Sequence, residues 1–532
     1  MWYRGPDDIS FWNNNSAEVG MVRLAVTDPN GPGQPVCDEN RRAVLVFNGE
    51  LYNHKQLRDE LEALGWSFQT RGDAEVLLKA YLAFGRECLT RLNGMYAFAV
   101  YDLRNGELWL VRDSIGIKPL YYFYDFNRLV FASDALALAK ATGGILDESS
   151  IYKYLAHSFV PGRSSMFKGI YKVLPGEQLV ASANSLEFRQ PESASETCDQ
   201  GEQDEVQALA EVLGSAVRLE SDLEVPAGIL LSGGTDSSVL AQLVCNATGN
   251  AEIASFTASF EGKASNDAAE ASKLAAKLGL RHTEVTINKK MHEEYLAELI
   301  MRLDEPFADS AAVTTYLLSS KARAEGLKVL FSGAGVDEIF GGYPRHFPAI
   351  PFQAAWVAAS PIRRFLMCAL AMCLFRHHRY RFGSEARNYG AQISGISLNF
   401  LSAIFRTKSD WKKVTEVLDN DYRLIVGKGK LERVAYDFRN YLVDNILAIA
   451  DKASMAASIE NRVPYLNKIF VAGTMKNEKS KLIKTINKDF FKEVARSSIG
   501  SAPINRRKEG FNSPINVWYA NRDSFDSVKL NA

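Results

Sequence analysis

The chain has 532 residues, too many for one hydrophobic core, so two or three domains are expected. Its 62 Lys plus Arg balance 63 Asp plus Glu, and 47% of residues are hydrophobic. That balance excludes a whole-molecule attraction to nucleic acid or acidic lipid, and leaves small molecules as the expected partners.

In chain order, "RGPDD" (4–8) is a tight turn carrying one cation and two carboxylates. Apolar runs rich in β-branched and aromatic residues then predict strands at 43–47, 95–102, 107–113, 120–125 and 128–134. Helical periodicity interrupts them at 53–65 and 74–85, each helix ending at a glycine. Antiparallel strands with a few helices define an α+β domain over 1–182. The stretch 183–205 is polar, poor in large apolar residues, and reads as a linker.

From 206 to 532 the rhythm changes. A helix (206–220), a strand (227–231), a helix (236–247), a strand (252–260), a helix (266–279) and a strand (281–287) follow one another. Two more helices lead to a strand at 328–332, and the chain from 350 to about 500 reads as mostly helical. Strand alternating with helix predicts an α/β domain built on a parallel sheet. The most apolar run, "FLMCALAMCLF" (365–375), has eleven residues, short of the ~20 that span a bilayer, and reads as a buried helix. Six cysteines at 37, 88, 198, 245, 368 and 373 form no C-x-x-C pair. They argue for a reducing, cytoplasmic setting and against a disulfide framework or structural zinc. No signal peptide is visible.

The strand at 227–231 runs into Ser232-Gly233-Gly234-Thr235-Asp236-Ser237-Ser238 directly before a helix. At such a junction free N–H groups and the positive end of the helix dipole favour an anion. Two glycines let the main chain wrap it, and the hydroxyls add donors. Asp236 amid those donors suits Mg²⁺ on a polyphosphate better than a bare phosphate. No G-K-[ST] follows, so this is not a Walker A loop, and a cation must come from elsewhere. The strand at 328–332 ends similarly in Ser332, Gly333, Gly335, Asp337 and Glu338. Two strand ends of one parallel sheet open on one rim, which would let Asp236 and Asp337 share a metal. Arg506, Arg507 and Lys508 lie on a late loop punctuated by Gly and Pro, and taken alone read as a solvated basic loop.

Together, S-G-G-x-D-S, "SGAGVDEIFGGY", "ADKASMAASIENRVPYL" (450–466) and R-x-K-x-G-F (506–511) resemble the glutamine-dependent asparagine synthetase family. In the first half "RGPDD", "VRLAVTD", "FNGELYNH", "RGDAEVLL", "RLNGMYAFAVYD" and "RDSIGIKPLYY" resemble its class II glutaminase domain. The resemblance implies an N-terminal nucleophile-type glutaminase fold followed by an adenine-nucleotide α-hydrolase-like fold. It also implies ATP and Mg²⁺ as cofactors, aspartate as acceptor, amidation through an acyl-adenylate, and a possible homodimer.

The resemblance further implies residue roles. Arg23 would take the glutamine carboxylate, Asp73 its amino group, and Asn48 and Gly49 the oxyanion, with Glu50 in the same pocket. Ser232, Gly233, Gly234, Asp236 and Ser237 would wrap the pyrophosphate, and Leu231, Ala258, Ser332 and Gly333 would line the adenosine site. Asp236 and Asp337 would hold the metal, and Lys508 would stabilise charge as the acceptor attacks the α-phosphate. The family's nucleophile is a cysteine at the mature N-terminus, whereas here Met1 and Trp2 precede the turn and the first cysteine, Cys37, has no free α-amine. The chain also stops at Ala532, sooner after Trp518 than family members do. The chain as given is therefore expected to use ammonia rather than glutamine. Ala334 stands where the family often has an acid, which keeps open another carboxylate acceptor, such as a sugar uronic acid or a secondary-metabolite acid. An inactive paralogue serving as a binding subunit is a third reading. Asn467 stands where the family usually has Asp.

Overall fold

The computed structural model describes residues 1–183, 185–190, 202–249, 253–262, 266–346, 385–394, 408–476, 488–499 and 513–518. After a short turn at Trp2–Arg4, β1 (Asp8–Asn13) and β2 (Glu18–Arg23) form an antiparallel hairpin in the register Asp8↔Arg23. Next come β3 (Val36–Cys37), β4 (Ala43–Leu51), α1 (His54–Ala63), α2 (Asp73–Phe84), β5 (Gly94–Asp102) and β6 (Glu107–Arg112). Then follow β7 (Tyr121–Tyr124), β8 (Leu129–Ala132), α3 (Ala135–Thr142), α4 (Glu148–His157), β9 (Ile170–Lys172), β10 (Gln178–Ala181) and β11 (Leu186–Arg189).

The central antiparallel sheet has the order β11-β10-β6-β5-β4-β3, and β8-β7-β9 form a smaller antiparallel sheet. Leu57, Leu61, Leu77 and Tyr81 of the two helices pack with Phe47, Phe98 and Trp109 in one buried cluster. Val44, Val46, Ala97, Ala99 and Leu110 pack instead with Leu120, Tyr122 and Val173 in another. Residues adjacent along β4 and β5 point to opposite faces, so both faces of the sheet are covered. That is why these strands read as continuous apolar runs rather than as alternation.

The second half begins with α5 (Glu202–Glu220), then β12 (Ala227–Leu230), α6 (Thr235–Thr248), β13 (Ala254–Phe260), α7 (Asp267–Leu278) and β14 (Arg281–Ile287). It continues through α8 (Lys289–Ile300), α9 (Ala311–Ala324), β15 (Val329–Phe331), α10 (Val336–Phe340), α11 (Glu385–Ser394), α12 (Lys408–Asp421) and α13 (Lys430–Arg439). A π-helical stretch, Leu442–Leu447, leads into α14 (Ala448–Met455), then β16 (Glu460–Arg462), α15 (Lys468–Lys476), α16 (Lys488–Ile499) and α17 (Ile515–Trp518). The sheet is entirely parallel, in the order β14-β13-β12-β15-β16. After β12 the chain builds outward in one direction to β14 and then returns to place β15 on the other side. The gap between β12 and β15 is therefore the switch point where ligands of such sheets sit.

Polar contacts join the two halves. Arg4 pairs with Asp451 at 2.7 Å and Lys172 with Asp444 at 3.0 Å, and Lys452 Nζ donates to the Tyr121 hydroxyl oxygen at 2.7 Å. The Tyr121 hydroxyl donates to Glu305 at 2.6 Å. The "RDSIGIK" segment is structural. The Asp113 carboxylate accepts from the N–H groups of Ile115, Gly116, Ile117 and Lys118. The Arg112 guanidinium donates to the carbonyls of Gly116, Lys118 and Val173.

Two expectations are refined. The segment read as a linker contains β11, which pairs with β10, and the first turn of α5. A fifth parallel strand, β16, lies within the region read as helical. The apolar run 365–375, Arg506, Arg507 and Lys508 lie outside the described residues. Among the described residues no helix is long and apolar enough to cross a membrane.

Candidate functional site

The loop after β12 folds on itself before α6 begins. Ser232 N–H donates to Ser237 Oγ at 3.1 Å, and the two serine hydroxyls are 2.9 Å apart. Ser237 Oγ also donates to Gly234 O at 3.2 Å. Gly233 has φ +73°, and a Cβ there would sit 2.1 Å from the Asp267 carbonyl oxygen, so only glycine fits. Leu231, just past β12, and Ala258, two residues before the end of β13, are buried; Leu231 N–H donates to Phe256 O at 2.9 Å. Across the switch point Ser332 N–H donates to Arg462 O at 2.9 Å, and Ser332 Oγ is buried with no partner among the described residues. Gly333 abuts the first loop: a Cβ there would come within 3.1 Å of Ser237 N. The two strand ends therefore meet on one rim.

Asp236 and Asp337 converge there on one ammonium group. Lys488 Nζ, from the first residue of α16, lies 3.0 Å from Asp236 Oδ2 and 2.7 Å from Asp337 Oδ1. Both carboxylates are buried, and Tyr465 fixes the backbone beneath them by donating to Asp236 O at 2.8 Å. Two carboxylates that share a cation beside a hydroxyl-lined anion loop fit Mg²⁺ bound jointly with substrate phosphates, which normally supply the rest of its oxygens. Lys488 carries the positive charge at that point, and nothing in the sequence pattern singled it out. Ser513 Oγ is 3.4 Å from Thr314 Oγ1, and Trp518 Nε1 donates to Glu261 O just past β13. The residues that follow Lys508 by five and ten positions thus dock near the sheet's carboxyl edge, while Lys508 itself is outside the described residues.

In the first half, Arg23, Asn48, Gly49, Glu50 and Asp73 all line one cavity of about 470 Å³. Glu50 and Asp73 are buried in its wall. Burial, followed by the Asp73 charge, raises the Glu50 carboxyl well above its ordinary range, and burial raises Asp73 as well. Two such groups favour an incoming cation, as the α-ammonium of an amino acid would be. Asp73 also accepts from Leu51 N–H at 3.0 Å, and Asn48 Nδ2 donates to Ser133 Oγ at 3.1 Å. Arg23 spends four of its five N–H donors on main-chain carbonyls. Its Nη1 donates to Gly31 O and Pro32 O, and its Nη2 to Thr27 O and Asp28 O. The four carbonyls leave its Nε–H as the donor for a ligand carboxylate. Cys37 also lines the cavity, but burial raises its thiol pKa, which disfavours a nucleophilic thiolate.

The Asn467 position, unexplained by the sequence, has a structural partner. Its Nδ2 donates to Glu220 Oε1 at 3.1 Å in the buried junction between α5 and the sheet. Burial pushes the Glu220 carboxyl up to about 8. A carboxylate in place of the amide would supply no N–H donor to Glu220 Oε1, and would oppose the ionisation of Glu220 as the pH approaches 8.

An α+β domain with an amino-acid-sized polar cavity, joined to a parallel-sheet domain with a nucleotide-type rim, defines a two-site amidotransferase architecture. A glutamine amidotransferase domain model matches residues 1–191, and an asparagine synthase model matches residues 208–529. Glutamine-hydrolysing asparagine synthetase 1 of Bacillus subtilis strain 168 is 29% identical over 541 aligned residues, covering 98% of this chain and 83% of that protein. A putative glutamine-hydrolysing asparagine synthetase of Mycobacterium bovis is 30% identical, covering 97% of this chain and 83% of its own length. Asparagine synthetase B of Escherichia coli strain K12 is 30% identical, covering 81% and 73%. The chain belongs to the asparagine synthase family of ATP-dependent ligases with a glutamine amide donor.

Proposed function

We propose that the protein is a cytoplasmic asparagine synthase that amidates aspartate through β-aspartyl-AMP, releasing AMP and pyrophosphate. The observation that carries this reading is the convergence of Asp236 and Asp337, from two strand ends of the synthetase domain, on one cation beside the 232–238 loop. An aspartate side-chain oxygen attacks the α-phosphorus of ATP, and the bond to the leaving pyrophosphate breaks. Ammonia nitrogen then attacks the acyl carbon, loses a proton, and AMP departs with the former carboxylate oxygen. Mg²⁺ held by Asp236 and Asp337 would supply neutralisation of the pyrophosphate charge. The 232–238 loop orients the phosphates, Leu231, Ala258, Ser332 and Gly333 bound the nucleoside, and Lys508 offsets charge at the α-phosphate. The cavity at Arg23, Asn48, Gly49, Glu50 and Asp73 binds glutamine.

Ala334 favours a second reading. Its side chain packs against the apolar cluster of the synthetase core, where an acid would alter the acceptor's surroundings. Another carboxylate could then be the acceptor. Pyrophosphate release measured with Mg-ATP, ammonium and a panel of carboxylates tests both readings. Aspartate giving the highest kcat/KM supports the first, and a uronic or other acid outrunning it by about tenfold, ~1.4 kcal/mol, replaces it with the second.

A further inference from the structure

Arg462, in β16, is the residue whose side chain reaches the wall of the N-terminal cavity while its main chain holds the nucleotide rim. It is almost wholly buried, at 2% exposure. Its Nη2 lies 3.4 Å from Glu50 Oε2, its Nε 2.9 Å from Glu460 Oε1, and its Nη1 donates to Glu220 O at 2.7 Å. Glu50 and Glu460 both line the cavity. The Arg462 carbonyl accepts from Ser332 N–H, the residue that begins the second rim loop.

We infer that Arg462 is a positioning residue that couples ligand binding in the N-terminal cavity to nucleotide binding at the synthetase rim. This rests on reading the cavity as an amino-acid site and the rim as a nucleotide site. An α-ammonium arriving at Glu50 and Asp73 competes with the guanidinium for Glu50. The fork must then settle on Glu460 and the Glu220 carbonyl. A planar group in a close-packed interior has few alternative seats, so its shift passes into β16 and through the β15 ladder to Ser332. By linkage the effect runs both ways: nucleotide at the rim must alter amino-acid affinity in the cavity by the same factor.

The test uses the full chain, with Mg-ATP titrated calorimetrically in the presence and absence of saturating L-glutamine, without acceptor, and with glutamine titrated alone. Both ligands should bind, and glutamine should change the Mg-ATP Kd by about five-fold or more. In Arg462→Lys, which keeps a cation beside Glu460 but loses the fork, both ligands should still bind and the change should fall below about two-fold. Glu460→Gln keeps the side-chain shape while releasing Nε, and should shrink the coupling as well if the lysine variant does not fold. A wild-type Kd indifferent to glutamine, or full coupling in both variants, overturns the inference. Glutamine giving no binding heat removes the cavity reading and the coupling with it, while leaving the nucleotide reading standing. Mg-ATP giving none removes the nucleotide reading.

Discussion

Replacing Glu220 by glutamine should stabilise the protein progressively as pH rises. In the unfolded chain this carboxyl ionises near its ordinary 4.5, whereas burial holds it protonated up to about 8 in the fold, against the partial relief of Asn467 and Arg462. Tyr52 and Glu460 also face it, from the other domain and from β16, and the Glu460 charge opposes its ionisation. Between pH 4.5 and 8 the folded state holds the proton that the unfolded state has lost, so this group makes stability fall as pH increases. At about 1.4 kcal/mol per pH unit the loss is on the order of 4 kcal/mol by pH 8. Glutamine keeps the shape and the acceptor for Asn467, and is neutral throughout. Thermal unfolding of both proteins should give matching midpoints near pH 5 and a gap of roughly 6 °C in favour of Glu220→Gln near pH 8. A gap that does not change with pH would refute the claim that Glu220 is held neutral.

Asn467→Asp places a second acid against Glu220 and should destabilise by roughly 2 kcal/mol at pH 8, a loss that Glu220→Gln should largely restore in the double variant, read by chemical unfolding. Lys488→Met leaves Asp236 and Asp337 without their shared ammonium. Without Mg²⁺ it should cost about 2 kcal/mol of stability, and millimolar Mg²⁺ should raise its melting temperature more than that of the wild type. Gly233→Ala forces a Cβ into the Asp267 carbonyl at a positive φ. It should lower stability by about 2 kcal/mol or more and abolish measurable Mg-ATP binding by calorimetry.

Much of the architecture was legible because its signals are local. The β12-loop-α6 turn carries its glycines and hydroxyls in one run, and strand–helix alternation fixes a parallel sheet without reference to distant residues. What escaped depends on partners far along the chain. β16 is Glu460-Asn461-Arg462, polar at every position yet fully buried, because its side chains meet Glu50, Lys118 and Glu220 from other elements. No periodicity rule reads such a segment as a central-domain strand. Lys488 lies 252 residues from Asp236 in sequence, so only the fold brings them together. The carbonyls of the 27–32 turn take four donors of Arg23, contacts that no motif announces. The departure at Asn467 became intelligible once Glu220 stood beside it.

The most direct measurement follows the oxygen. With aspartate labelled with ¹⁸O in its side-chain carboxylate, Mg-ATP and ammonium, mass spectrometry should find one ¹⁸O in the AMP and one retained in the asparagine amide carbonyl. Unlabelled AMP, or formation of ADP and phosphate in its place, would contradict acyl-adenylate chemistry at this rim.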